Sequence, residues 1–354
     1  MPLRRCFSIS NTSDIKMHAN HGADANLHGE KDYQTMDHSK DLNGKKPSYK
    51  DLAVEFCGIK MKNPIVAASG TFGFGFEYAD YLDLSNEVGA ISVKGLTPTP
   101  RNGNPGTRIA ETPSGVLNCI GLENPGAEAF VRDILPELKQ YDVPILANIS
   151  AADVEGYAFM AKTLSVPGIA GLEVNISCPN VKNGGMAFGV CAESAAAVCK
   201  TVRENTNLPV IMKLSPNVTD IVEIATAVKE AGADGLCLIN TLLGMAIDIK
   251  TRRPVLGNLY GGLSGPAVKP VALRLVHQVA QAIDLPIMGM GGIMTGTDAI
   301  EFMLAGADIV SVGTATMVDP CAIGNIAREM HEYCEASGLN HVSEVVGALE
   351  PYRF

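Results

Sequence analysis

Eight short apolar runs, rich in Val, Ile and Ala, recur between residues 64 and 313 and alternate with longer amphipathic stretches. The runs cover 64–68, 90–94, 144–149, 171–176, 210–214, 235–240, 286–290 and 309–313. They are apolar at consecutive rather than alternate positions, as parallel strands buried on both faces require. Between them the periodicity predicts helices, among them 127–140, 192–205, 220–231, 268–282, 297–305 and 320–336. Ala-Gly-Ala-Asp occurs at 231–234 and again at 305–308, each time between a helix and a strand. Glycine there is the expected helix stop. The alternation predicts an α/β chain folded as a (β/α)8 TIM barrel. A doubly wound open sheet would carry Gly-x-Gly-x-x-Gly directly after its first strand, and the glycines at 70, 73 and 75 have the wrong spacing.

Residues 1–50 are polar and irregular and hold His18, His21, His28 and His38 in no metal-ligand spacing. They are expected to form a disordered extension to a single catalytic domain over 51–354. A net charge of −10 argues against nucleic acid as a partner. No apolar run reaches the roughly 18 residues of a membrane span. No apolar segment follows Met1-Pro2-Leu3-Arg4-Arg5 as a secretory signal would need. The 9 cysteines include no Cys-x-x-Cys pair, which argues against a disulfide framework and against a zinc or iron–sulfur site in this chain. A reducing, cytoplasmic setting is expected, and no metal.

In a barrel of this kind the working residues stand at the C-terminal ends of the strands. Polar and glycine residues gather there: Ser69-Gly70, Lys94-Gly95, Asn148, Asn175, Lys213 with Ser215, Asn240-Thr241, Gly291-Gly292 and Gly313-Thr314. The glycines after strands seven and eight suit a phosphate, because they let backbone N–H groups approach an anion. Lys94 and Lys213 call for an anionic partner, either a ligand carboxylate or the pyrimidine edge of a flavin. Asn148, Asn175 and Asn240 can donate and accept along a planar heterocycle.

Cys178 follows the fourth run, between Ser177 and Pro179, in a loop with Gly184-Gly185 downstream. A thiol so placed can act as a base near neutrality. Cys191, Cys199 and Cys237 read instead as core residues. His277, His331 and His341 fall in helices or the tail, so no Ser/His/Asp triad competes with the cysteine.

Six segments together resemble the class 1 dihydroorotate dehydrogenases over about residues 52–345: Asn118-Cys119-Ile120-Gly121-Leu122, Asn175-Ile176-Ser177-Cys178-Pro179-Asn180, Lys213-Leu214-Ser215-Pro216-Asn217, Asn240-Thr241, Gly262-Leu263-Ser264-Gly265-Pro266 and Gly289-Met290-Gly291-Gly292-Ile293. The stretch Ile239 to Asp248 resembles the NAD-linked 1B subclass. The resemblance implies FMN held by Ser69, Lys94, Gly95, Asn148, Asn175, Lys213, Ile239, Gly265, Gly291, Gly292, Gly313 and Thr314. It implies dihydroorotate, or orotate, meeting Lys94, Asn118, Cys119, Ile120, Gly121, Leu122, Asn175, Asn240 and Thr241, with Cys178 as the base. It further implies an electron-transfer subunit carrying FAD and [2Fe–2S], around a homodimer core of a heterotetramer. Alternatives are the fumarate-linked 1A subclass, the pyrimidine-reducing subunit of a dihydropyrimidine dehydrogenase, and a non-catalytic phosphate-binding barrel. Cys119 stands where the family more usually has a small residue such as alanine.

Overall fold

The computed structural model describes residues 50–177 and 188–351. The expected disordered extension and Cys178 itself lie outside the described residues.

Eight parallel strands close into a barrel. In chain order they are Ile65–Ala67, Ala90–Ser92, Ile145–Ile149, Gly171–Asn175, Val210–Lys213, Gly235–Leu238, Ile287–Met290 and Ile309–Val312. Each pairs with its neighbours in sequence, and the eighth closes on the first through Val310 beside Ile65. All eight fall within the apolar runs. The helices Ala192–Glu204, Ile221–Glu230, Lys269–Ala282, Gly296–Leu304 and Ala322–Ser337 stand close to their expected bounds. Both Ala-Gly-Ala-Asp segments end a helix, with Gly232 at φ 98° and Gly306 at φ 110°.

Alternate strand residues point to opposite faces, and the barrel uses this to separate two cores. Val174, Met212, Leu236 and Val310 pack outward against the helices. Val66, Ala90, Leu146, Ile211, Cys237, Met288 and Ile309 form the interior cluster. An antiparallel hairpin, Val54–Phe56 with Ile59–Met61, adds Phe56, Ile59 and Met61 to that interior cluster and closes the N-terminal end. Its short strands precede the barrel alternation and carry too few residues for periodicity to mark them. Phe56 is 1% exposed. Phe56→Ala is expected to cost about 3–5 kcal/mol in denaturant unfolding, the usual range for a buried Phe. A loss under about 1 kcal/mol would show that the hairpin does not complete the barrel floor.

A second sheet, of four antiparallel strands, grows from the loops after barrel strands two and six. Its order is Leu242–Gly244, Gly261–Ser264, Gly115–Asn118 and Ile109–Thr112. Strand Gly115–Asn118 pairs with Gly261–Ser264, with Asn118 beside Gly262. The helix Val154–Leu164, capped by Asp153 accepting from the Gly156 N–H at 2.9 Å, fills the connection between strands three and four. No helix among the described residues is long and apolar enough to cross a membrane.

Candidate active site at the barrel mouth

Along several strands the inward positions change character from floor to mouth. Two residues beyond Ala90, Leu146, Ile211 and Ile309 stand Ser92, Asn148, Lys213 and Ser311, on the same face because the side-chain period is two. Glu173 lies in the same polar layer, on strand four, level with Asn148. It is fully buried. Its Oε2 accepts from Ser92 Oγ at 2.5 Å and from Asn148 Nδ2, and its Oε1 lies 3.6 Å from Lys213 Nζ. Burial alone would raise this carboxyl. The Lys213 ammonium and the hydrogen bonds from Ser92 and Asn148 outweigh it and hold the group below the usual carboxylate range. The Cys237 thiol, also enclosed in the barrel, is pushed well above its ordinary value by burial and by the Glu173 charge.

Lys213 was expected to face an anion brought by a ligand. The chain supplies one itself. Both partners are buried, and a buried charge stripped of its partner costs about 3–5 kcal/mol. Glu173 was not foreseen, although the signal was present: a carboxylate inside an apolar run, on the strand preceding the one that carries Lys213.

The other foreseen residues converge from separate loops. Asn175 takes the Ser177 N–H at 3.1 Å and the Asn240 side-chain amide at 3.2 Å on its Oδ1. Its carbonyl accepts from the buried Tyr157 hydroxyl at 2.8 Å, so the helix Val154–Leu164 fixes the end of strand four. Gly95 is buried where a Cβ would meet Asn148 Oδ1 and Leu122 Cδ2, each at 3.0 Å. That close approach brings the ends of strands two and three against the 118–122 loop. Asn118 donates to the Gly262 carbonyl at 3.2 Å, and a Cβ on Gly262 would run into the Thr241 side chain. Ile239 is buried, while Ser69, Lys94, Ile120 and Gly121 are half-buried at the rim.

Gly265, Gly291, Gly292 and Thr314 also meet. Gly292 has φ 80°, and a Cβ there would lie 2.8 Å from the Gly265 carbonyl oxygen and 2.9 Å from the Lys269 backbone nitrogen. Thr314 donates to Ser264 at 2.9 Å, and Gly313 precedes the short helix Thr314–Val318, where a Cβ would make only ordinary contact with Ala68 and Thr71, the nearest atom at 3.5 Å. Glycines packed this tightly from three loops leave backbone N–H groups approachable by an anion, which suits a phosphate.

Two cysteines lie in settings their sequence context did not fix, and one of them, Cys191, departs from its reading. Cys119 packs in a small cluster with Leu117 and Leu256, its thiol 3.5 Å from the Thr107 carbonyl oxygen, and is 8% exposed. Cys191, read as core, is exposed: it stands at the N-cap position one residue before the helix Ala192–Glu204, whose buried stripe begins at Ala195. The backbone N–H groups of Ser194 and Glu193 hold its thiol below the ordinary range. Burial pushes Cys199 up to about 12 and Cys334 to about 11. Brief iodoacetamide treatment of the native chain, read by peptide mass spectrometry, is expected to label Cys191 well ahead of Cys119, Cys199 and Cys334. Labelling of Cys119 at a comparable rate would contradict its enclosed position.

Polar groups confined to one end of an otherwise apolar barrel mark that end as the place of chemistry in (β/α)8-barrel enzymes, and this chain is of that class. The sequence profile of the dihydroorotate dehydrogenase family matches residues 51–334. A protein of Desulforudis audaxviator named dihydroorotate dehydrogenase B (NAD(+)), catalytic subunit, is 59% identical over 297 residues, covering 84% of this chain and 96% of its own length. Proteins of the same name from Geotalea uraniireducens and a Geobacillus strain are 56% and 54% identical, each over 84% of this chain and over 98% and 95% of their own lengths. The chain belongs to the dihydroorotate dehydrogenase family, and it is an oxidoreductase.

Proposed function

We propose that the chain is the catalytic subunit of an NAD+-linked dihydroorotate dehydrogenase, converting (S)-dihydroorotate to orotate with FMN as its resident flavin. The observation that carries this reading is the meeting of Asn148, Asn175 and Lys213 beside a three-loop glycine cradle, in a chain whose relatives bear that name. The residues fit FMN in kind. Gly265, Gly291, Gly292, Gly313 and Thr314 suit its phosphate. Ser69, Lys94, Gly95, Asn148, Asn175, Lys213 and Ile239 suit its ring system and ribityl chain. Bound there, FMN would supply the hydride acceptor.

The chain's own groups would do the rest. Lys94, Asn118, Asn175, Asn240 and Thr241 would bind the substrate and orient its C6, aided by the backbone of Cys119, Ile120, Gly121 and Leu122. With its side chain packed against Leu117 and Leu256, Cys119 would offer substrate its main chain. Cys178, one residue past Ser177, would take the proton from C5. The Asn175 carboxamide holds the Ser177 N–H, so the chain entering Cys178 is tied to strand four. The relatives' designation as catalytic subunits supports a companion chain, here proposed to carry FAD and [2Fe–2S] around a homodimer core.

Anaerobic addition of (S)-dihydroorotate to the purified, flavin-bearing chain tests the reading: the flavin absorbance should bleach. Turnover with fumarate by the chain alone would move it to the 1A subclass. Reaction with uracil in preference to orotate would make it a dihydropyrimidine dehydrogenase subunit, and a colourless folded protein would remove the flavin altogether.

A further inference from the structure

Glu173 has no task in the function proposed above, yet it is the most deeply placed charged group at the barrel mouth. Strand two offers it Ser92, strand three Asn148 and strand five Lys213. An apolar residue would fill this position without the cost of burying a charge. The carboxylate is therefore expected to serve its neighbours, and Lys213 is the neighbour whose charge depends on it.

We propose that Glu173 is a positioning residue that keeps the Lys213 ammonium charged and fixed at the barrel mouth, so that negative charge arriving on a bound ring meets a standing cation instead of drawing a proton from solvent. The proposal rests on the flavin reading for the ring and on the structure for the ion pair. Lys213 lies in register with Asn175 on one side and Cys237 on the other. Several titratable and polar groups among the described residues also stand near the pair. Strand two brings Ser92 and, two residues on, Lys94; strand six brings Cys237, whose raised thiol stays protonated; strand eight brings Ser311, whose buried hydroxyl has no hydrogen-bond partner among the described residues. None of these can replace a carboxylate as the counter-charge. Without Glu173 a buried ammonium would lose its proton readily. It would then regain one each time the ring became charged.

The signature is a proton count. The midpoint potential of bound FMN would be measured against reference dyes over a pH series for the full chain and for Glu173→Gln, Glu173→Asp, Lys213→Met and the Glu173→Gln/Lys213→Met pair. Glu173→Gln is expected to steepen the pH dependence by one proton per electron pair. That is an added tenfold change in equilibrium constant per pH unit, or about 30 mV per unit for a two-electron couple. Glu173→Asp should restore the native slope, and the added slope should vanish in the double variant, where no lysine remains to take up the proton. A native slope in Glu173→Gln, or the added slope persisting without Lys213, would overturn the proposal.

Thermal unfolding of the same proteins stripped of flavin judges the pair separately. Glu173→Gln and Lys213→Met should each lower the melting temperature, and the double variant should lose clearly less than the sum. Additive losses would mean the two side chains do not act together. If the unsubstituted chain bound no FMN, the flavin reading and the redox part of this proposal would fall together, while the unfolding cycle would still decide the ion pair.

Discussion

Replacing Cys178 by serine is expected to slow reduction of bound flavin by dihydroorotate by about 10²- to 10⁴-fold, the span general base catalysis supplies, while FMN stays bound. A serine hydroxyl keeps the size and the hydrogen-bonding capacity of the thiol but ionises far less readily, so near neutrality it is a poor proton acceptor without help from a second group. The foreseen histidines offer none: His277 lies in the helix Lys269–Ala282 and His331 in Ala322–Ser337, on the outer layer, and His341 caps a turn beside Ala53. Stopped-flow mixing under anaerobic conditions reads the step directly. A rate for Cys178→Ser within a factor of two of the unsubstituted chain would require another base.

The second large effect is expected from Gly292→Val. At φ 80° a β-branched residue is strained by roughly 1–3 kcal/mol. The new Cβ would also have to displace backbone atoms, the Gly265 carbonyl and the Lys269 nitrogen, rather than the tip of a flexible side chain. The loops after strands six and seven would part, and with them the N–H groups proposed to hold the phosphate. The variant should be purified with less than about a tenth of the flavin of the parent, and titration with FMN should show at least a hundredfold weaker binding, about 2.7 kcal/mol. Gly338→Val serves as the control. It too has a positive φ, 67°, but lies at the end of the helix Ala322–Ser337 with nothing near its missing Cβ. It should lose some stability and keep its flavin. Equal flavin content in the two variants would show that the glycine cradle does not hold the phosphate.

The barrel was legible because its signal is repeated. Each strand buried on both faces is apolar at consecutive positions over most of its length, and each helix shows one apolar stripe, so eight strands announce themselves by pattern. The glycine stops at 232 and 306 were readable for the same local reason, since only glycine takes those angles cheaply. The four-stranded sheet at the mouth was not. Its strands run three or four residues, three of the four carry glycine, and the central pairing of Gly115–Asn118 with Gly261–Ser264 spans more than a hundred positions, so no local pattern marks them.

The site divides in the same way. Asn148, Asn175, Lys213 and Asn240 stood out as polar residues ending apolar runs. Glu173 sits inside its run, where a carboxylate looks like an interruption until Lys213 and Ser92 are seen around it. Cys191 was misplaced because it stands one step outside its helix yet four residues before Ala195, on the spacing of the buried stripe.

The pairing of Asn118 with Gly262, 144 residues further along the chain, also governs when the four-stranded sheet at the mouth can exist. Synthesis runs from the N-terminus, so the strand Gly115–Asn118 is made long before its neighbour Gly261–Ser264 emerges. Until then only Ile109–Thr112 can pair with it, and its other edge stays open. Closing so long a loop is slow, because its entropy is lost before any contact repays it. The ribosome-bound chain therefore carries the strand Gly115–Asn118 as an unfinished edge through most of the barrel's synthesis. This is the stretch of the nascent protein that a chaperone has most reason to shield.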